Sequence, residues 1–116
     1  MIDVNAQIRE ILKNVPSVTV TFHSPNKANK LPVISYYELA TVTGLCYDNR
    51  EQGQKSSVQI DIFAKSGSEC SKIAIEVDKL MQNEGWYREL SMDIPPEENV
   101  YHKTMRFSKN IYFTEE

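Results

Sequence analysis

The sequence predicts an α+β fold: a mainly antiparallel sheet with an N-terminal helix and one long helix packed on it. Three observations predict it. The hydrophobic period is two across Ser57–Ala64, changes to that of a helix directly after Lys65, and returns to two after Gly85. A strand therefore feeds a helix that feeds a strand. β-Branched and aromatic residues crowd Val18–Phe22, Pro32–Val42 and Tyr101–Phe113, as half-buried pleated segments require. A chain of 116 residues, 41% hydrophobic and 25% charged, can fill one modest core and not two, so residues 1–116 are expected to form a single domain.

Each element has its own justification. Ile2, Ala6, Ile8, Ile11, Leu12 and Val15 fall at helical spacing and predict one buried stripe, with Asp3 suited to the N-terminal end and Pro16 as the stop. Val18–Phe22 alternates and predicts a short strand, and His23–Lys30 reads as a polar turn segment. Pro32 opens a strand running to about Val42, where a proline costs no ladder donor further in. Apolar on both faces, that strand is expected to be covered, at least in part, on both sides. Thr43–Lys55 holds Gly44, Gly53 and a polar run from Asp48 to Gln54. Such a stretch predicts a long connection, mobile alone and ordered against a partner, because it offers little apolar area to offset ordering entropy.

In the strand Ser57–Ala64, alternation sends Val58, Ile60, Ile62 and Ala64 to the core and Gln59, Asp61 and Phe63 away from it. Ser66 or Ser68 is expected to cap the long helix Ser68–Glu84, with Glu69 in its first turn. Cys70, Ile73, Ala74, Val77, Leu80 and Met81 form the stripe it buries, and Gly85 suits its C-terminal end. Alternation next places Trp86, Leu90, Met92 and Ile94 on one face of a strand, opposite Tyr87, Glu89, Ser91 and Asp93, with Pro95–Asn99 as the turn. The last strand points Met105 and Phe107 inward and His102, Thr104, Arg106 and Ser108 outward. Lys109 then shares the parity of Ile111 and Phe113, which predicts a bulge near Ser108–Asn110.

Few residues offer chemistry. His23 and His102 are the only imidazoles, and their spacing to Cys46 and Cys70 matches no zinc pattern. No nucleophile-elbow sequence occurs, and the four glycines form no phosphate-cradling array. Glu97, Glu98, Glu115 and Glu116 sit where solvated charges ordinarily collect. The expectation is therefore no catalysis, no cofactor and no metal. A net charge of −3 and the lack of a basic cluster argue against sequence-specific nucleic-acid binding. No apolar run is long enough for a membrane span, and neither a secretory leader nor a disulfide framework is legible, so a cytoplasmic origin is expected. Tyr36, Tyr37, Tyr87, Tyr101 and Tyr112 suit both strands and protein interfaces.

Four stretches carry a resemblance: Leu31–Pro32–Val33–Ile34–Ser35–Tyr36–Tyr37–Glu38, Tyr47–Asp48–Asn49, Val58–Gln59–Ile60–Asp61–Ile62–Phe63 with the helix after it, and Tyr101–His102–Lys103–Thr104–Met105–Arg106–Phe107–Ser108. Together they resemble the small tail-completion proteins of long-tailed phages and prophages, the head-to-tail joining or tail-terminator proteins, over nearly the whole chain. The resemblance implies a structural virion protein in a homo-oligomeric ring, commonly hexameric, that caps the tail tube protein and docks it to the head connector protein. It implies a monomer before a tail is presented, residence in the virion tail or neck, and host cytoplasm during assembly. Partner contacts would run through Tyr36, Tyr47, Asp48, Asn49, Arg50, Glu51, Gln54 and Lys55, and assembly through the sheet's edges and the exposed faces of its outer strands. A non-basic wall suits a ring through which DNA must slide. The alternative is a small prophage-encoded protein-binding adaptor that never enters a virion.

Overall fold

The computed structural model describes residues 1–16, 18–22, 31–47 and 49–113, with only the backbone described at Leu45 and Tyr47. The expected turn at His23–Lys30 and the terminal Glu115 and Glu116 lie outside these residues. In chain order the elements are α1 (Asn5–Leu12), β1 (Thr19–Phe22), β2 (Val33–Tyr47), β3 (Arg50–Ala64), α2 (Gly67–Asn83), β4 (Tyr87–Glu97) and β5 (Val100–Tyr112). One five-stranded sheet has the order β1-β2-β3-β5-β4. Every neighbouring pair is antiparallel except β1 with β2. The fold is α+β, with the short N-terminal helix and the longer α2 on one face of a mostly antiparallel sheet.

That face makes the core. Val58, Ile60, Ile62 and Ala64 of β3 are fully buried, as their alternation requires, and Met105 and Phe107 of β5 join them. From α2 come Cys70, Ile73, Ala74, Val77 and Met81, with Leu80 packed at the margin. Ser66 is the N-cap of α2, its hydroxyl accepting from Glu69 N at 3.2 Å. The Glu69 carboxylate accepts in turn from Lys65 N at 3.3 Å, so two donors at this end are satisfied reciprocally. At the other end Gly85 takes φ +88° and Trp86 N bonds Met81 O, closing the last turn. α1 buries Val4, Ile8, Leu12 and Val15, whereas Ile2 and Ala6 lie outside the stripe. Asp3 accepts from Asn5 N just ahead of α1, while Val4 holds the N-cap position without a side-chain cap.

Three expectations are corrected by the strand register. Thr43–Lys55 is not a loop: β2 and β3 pair through it, from Thr43 with Gln54 to Tyr47 with Arg50. Asn49, at the hairpin tip, takes φ +59°, a conformation asparagine tolerates. The ladder satisfies the polar run's backbone, so the segment needs no buried apolar area to be ordered. Gly53 fits because a Cβ there would meet Ile111 O at 2.8 Å. Secondly, β4 slips by one residue between Arg88 and Leu90. Leu90, Met92 and Ile94 therefore share the helix-free face with Tyr87, while Ser91 and Asp93 face the helices. Thirdly, β5 pairs with β3 without interruption to Tyr112, so the expected bulge near Ser108–Asn110 is absent. Lys109 stays on the helix side. It spans apolar surface to place Nζ 2.8 Å from Glu84 O and 5.9 Å from the Trp86 ring centroid. β4 also extends through Pro95 and Pro96 to Glu97, leaving Glu98 and Asn99, both at positive φ, as the turn.

The two thiols are set apart by burial. Cys70 is 3% exposed, and desolvation pushes its thiol pKa up, whereas Cys46 is exposed on the hairpin. Since thiolate is the reactive form, a colorimetric thiol reagent is expected to label one cysteine quickly in the native protein. The second should react only on unfolding; fast labelling of both would contradict the burial of Cys70.

Candidate assembly surface

Opposite the helices, the register lays side chains in rows across β2, β3, β5 and β4. The rows are Val33–Phe63–His102–Ile94, then Ser35–Asp61–Thr104–Met92, then Tyr37–Gln59–Arg106–Leu90. No described helix covers this face, yet its centre is dry: Ser35 is 1%, Ser108 0% and Thr104 9% exposed. Large neighbours shield these small polar groups, since the central strands lean on one another's side chains.

Asp61 is the hub. Its Oδ1 accepts from Thr104 Oγ1 at 2.5 Å and lies 3.0 Å from His102 Nε2, while Oδ2 accepts from Gln59 Nε2 at 3.3 Å. A carboxylate only accepts, so His102 presents an Nε2–H to it. The His102 ring also stacks on Phe63, with centroids 4.3 Å apart and planes at 22°. A neighbouring node joins Ser57 to Ser108 at 3.0 Å, and Ser108 to Glu89, which the β4 bulge delivers. Thr104 and His102 converge on one Asp61 oxygen, so the hydroxyl is bonded to the carboxylate and not to the imidazole. This is a lattice that holds strands together; it is not the relay a nucleophile needs. Nothing singled out Asp61, His102 and Thr104 in the sequence as a group, because they meet only through the pairing of β3 with β5. Ser35 Oγ and Arg106 Nε are buried and find no hydrogen-bond partner among the described residues. Around this seam Tyr87, Met92 and Tyr112 stay 45%, 46% and 69% exposed.

The residues expected at a partner interface are divided by the structure. Tyr36 is 4% exposed on the helix side, its ring 5.5 Å from that of Phe22, and burial raises its phenol pKa. Gln54 is 1% exposed: its carboxamide accepts from Ile2 N at 2.7 Å and donates to Ile2 O at 2.8 Å and Ser56 Oγ at 2.8 Å. Both are therefore committed to this chain's interior, which corrects their expected place at an interface. The Gln54 amide acts as a surrogate strand for the segment ahead of α1. Glu51 is half-buried and accepts from Thr43 Oγ1 at 2.7 Å across the hairpin. Asn49 and Arg50 are exposed at the tip and Lys55 is half-buried on the helix-free face. Asp48 and the Tyr47 side chain lie outside the described residues.

The two sheet edges differ. On the β4 side, Arg88, Glu89 and Asp93, a bulge, and Pro95–Pro96 interrupt the edge. On the β2 side, β1 pairs only Val33–Tyr36, and Glu38 N is capped by Asn5 Oδ1 at 3.1 Å. From Leu39 to Tyr47 no described strand lies on the outer side of β2.

Among the described residues no group of three or more His, Cys, Asp or Glu side chains could hold a metal ion, and His23 lies outside them. No described helix is long and apolar enough to cross a membrane. No protein-family model matches this chain, and no curated protein matches it.

Proposed function

We propose that this chain is a structural assembly protein that completes a phage tail and joins it to the head connector as part of an oligomeric ring. The reading rests on the resemblance of the four sequence stretches. Three of them fall on β2, β3 and β5, the contiguous centre of the sheet. A surface suited to covering by other protein supports the assembly part: a half-satisfied polar seam with exposed aromatic and methionine margins on one face, and an edge of β2 beyond Glu38 on which no described strand lies. The hairpin tip is exposed at Asn49 and Arg50 and would reach the neighbouring ring or tail partner.

The decisive experiment mixes the purified protein with tail tubes lacking their terminal ring, at micromolar concentration. Co-sedimentation with one end of the tubes, and recovered joining to heads, is the expected result. Absence of binding would sink the tail-completion reading and leave the adaptor reading in its place.

A further inference from the structure

We infer that Met1–Asp3 is a strap: docked on Gln54 it holds the outer part of the β2–β3 hairpin in one orientation, and released it lets that part bend. Behind it the chain is anchored by Val4, which is fully buried, and by α1. Ile2 itself is 36% exposed. Its backbone N–H donates to Gln54 Oε1 at 2.7 Å, and its C=O accepts from Gln54 Nε2 at 2.8 Å. That is the two-point exchange of a ladder pair, made by a side-chain amide. Gln54 Nε2 also donates to Ser56 Oγ at 2.8 Å, and both side chains are buried. Undocking Ile2 strips a buried carboxamide of two bonds, so it goes together with opening of this stretch to water.

The strap sits where the hairpin can bend. Gln54 pairs with Thr43, and two register shifts of β2 follow at once, between Thr43 and Leu45 and between Leu45 and Cys46. A strand pair bends at such irregularities. β5 accompanies β3 only to Gly53, with Phe113 N bonding Gln52 O just beyond. A second contact acts in the same sense. The Asp3 carboxylate accepts from Asn5 N at 3.0 Å and from Asn5 Nδ2 at 2.9 Å, which turns Asn5 Oδ1 towards Glu38 N, 3.1 Å away. Glu38 is the last β2 residue in register before the shift to Ala40. Residues 2–5 therefore grip β3 at Gln54 and β2 at Glu38, on either side of the regular run Ala40–Thr43. Docking orders the tip in advance, and a partner that grips the tip in this orientation strengthens the docking in return. The device does not rest on the tail-completion reading.

Native-state hydrogen exchange, followed amide by amide on the whole chain, tests it. Ile2→Pro deletes the Ile2 N–H and leaves every hairpin side chain in place. It should speed exchange from Cys46 to Gln52 by about tenfold or more, the factor that losing one or two such bonds represents. Gln54→Leu, which removes the amide from the other side of the contact, should do the same. Ile2→Ala keeps the backbone pair and should leave these amides at the wild-type rate. In I2P and I2A alike, the amides of Val58–Ile62 in the centre of β3 should keep their protection, because the opening is local. Hairpin amides unchanged in both I2P and Q54L would overturn the inference. So would an acceleration in I2P that spreads equally over Val58–Ile62, or an I2A effect as large as that of I2P.

Discussion

Phe107→Ala is expected to lower stability by about 3–5 kcal/mol, the usual range for truncating a large buried ring. Phe107 is fully buried on the central strand β5, opposite Val58 of β3 and Arg88 of β4. Removing the ring takes away its transfer free energy and leaves a cavity that a sheet held on both sides by ladder bonds cannot collapse to fill. The informative comparison is Met92→Ala. Simple alternation from Trp86 places Met92 inward, yet the bulge turns it to the helix-free face, where it is 46% exposed. Its truncation should change stability by no more than about 0.5 kcal/mol, as for other surface positions. Guanidinium unfolding of both variants measures the contrast. Equal losses at Phe107 and Met92 would mean that β4 keeps its uninterrupted register.

Asp61→Ala is expected to cost about 2–3 kcal/mol, because hydrogen bonds to a charged group contribute more than neutral ones and their loss strands buried partners. Thr104, 9% exposed, would lose the acceptor at 2.5 Å, and His102 and Gln59 would lose theirs. Asp61→Asn keeps an oxygen that can accept from Thr104 and should recover part of that loss. The same denaturation assay, with the two variants compared at one pH, separates them. A D61A protein as stable as wild type would show that water replaces the carboxylate, and that the seam on this face is wet.

Elements whose burial repeats at a single clean period are legible from local spacing alone. The β3 alternation of Val58, Ile60, Ile62 and Ala64, the α2 stripe from Cys70 to Met81, and the Gly85 end are local consequences of side-chain spacing and backbone preference, whereas the choice of Ser66 over Ser68 as the cap came with the structure. Those three needed no knowledge of neighbours. Features that depend on register are fixed by long-range pairing instead. Thr43–Lys55 has the composition of a loop, and only pairing of β2 with β3 satisfies its backbone as a hairpin arm. One extra residue at Glu89 reverses the facing of Leu90, Met92 and Ile94, since a strand's period of two lets a single-residue slip exchange the faces. Lys109 keeps its place in the ladder by reaching Glu84 and Trp86, a contact between residues 25 positions apart. Gln54 looked free for a partner until its amide met Ile2, 52 residues away. Asp61, His102 and Thr104 form one node only because β3 and β5 run side by side. Local spacing fixes which residues can face inward; long-range hydrogen-bond pairing fixes which of them do, and that choice carries no signature in the period of any one strand.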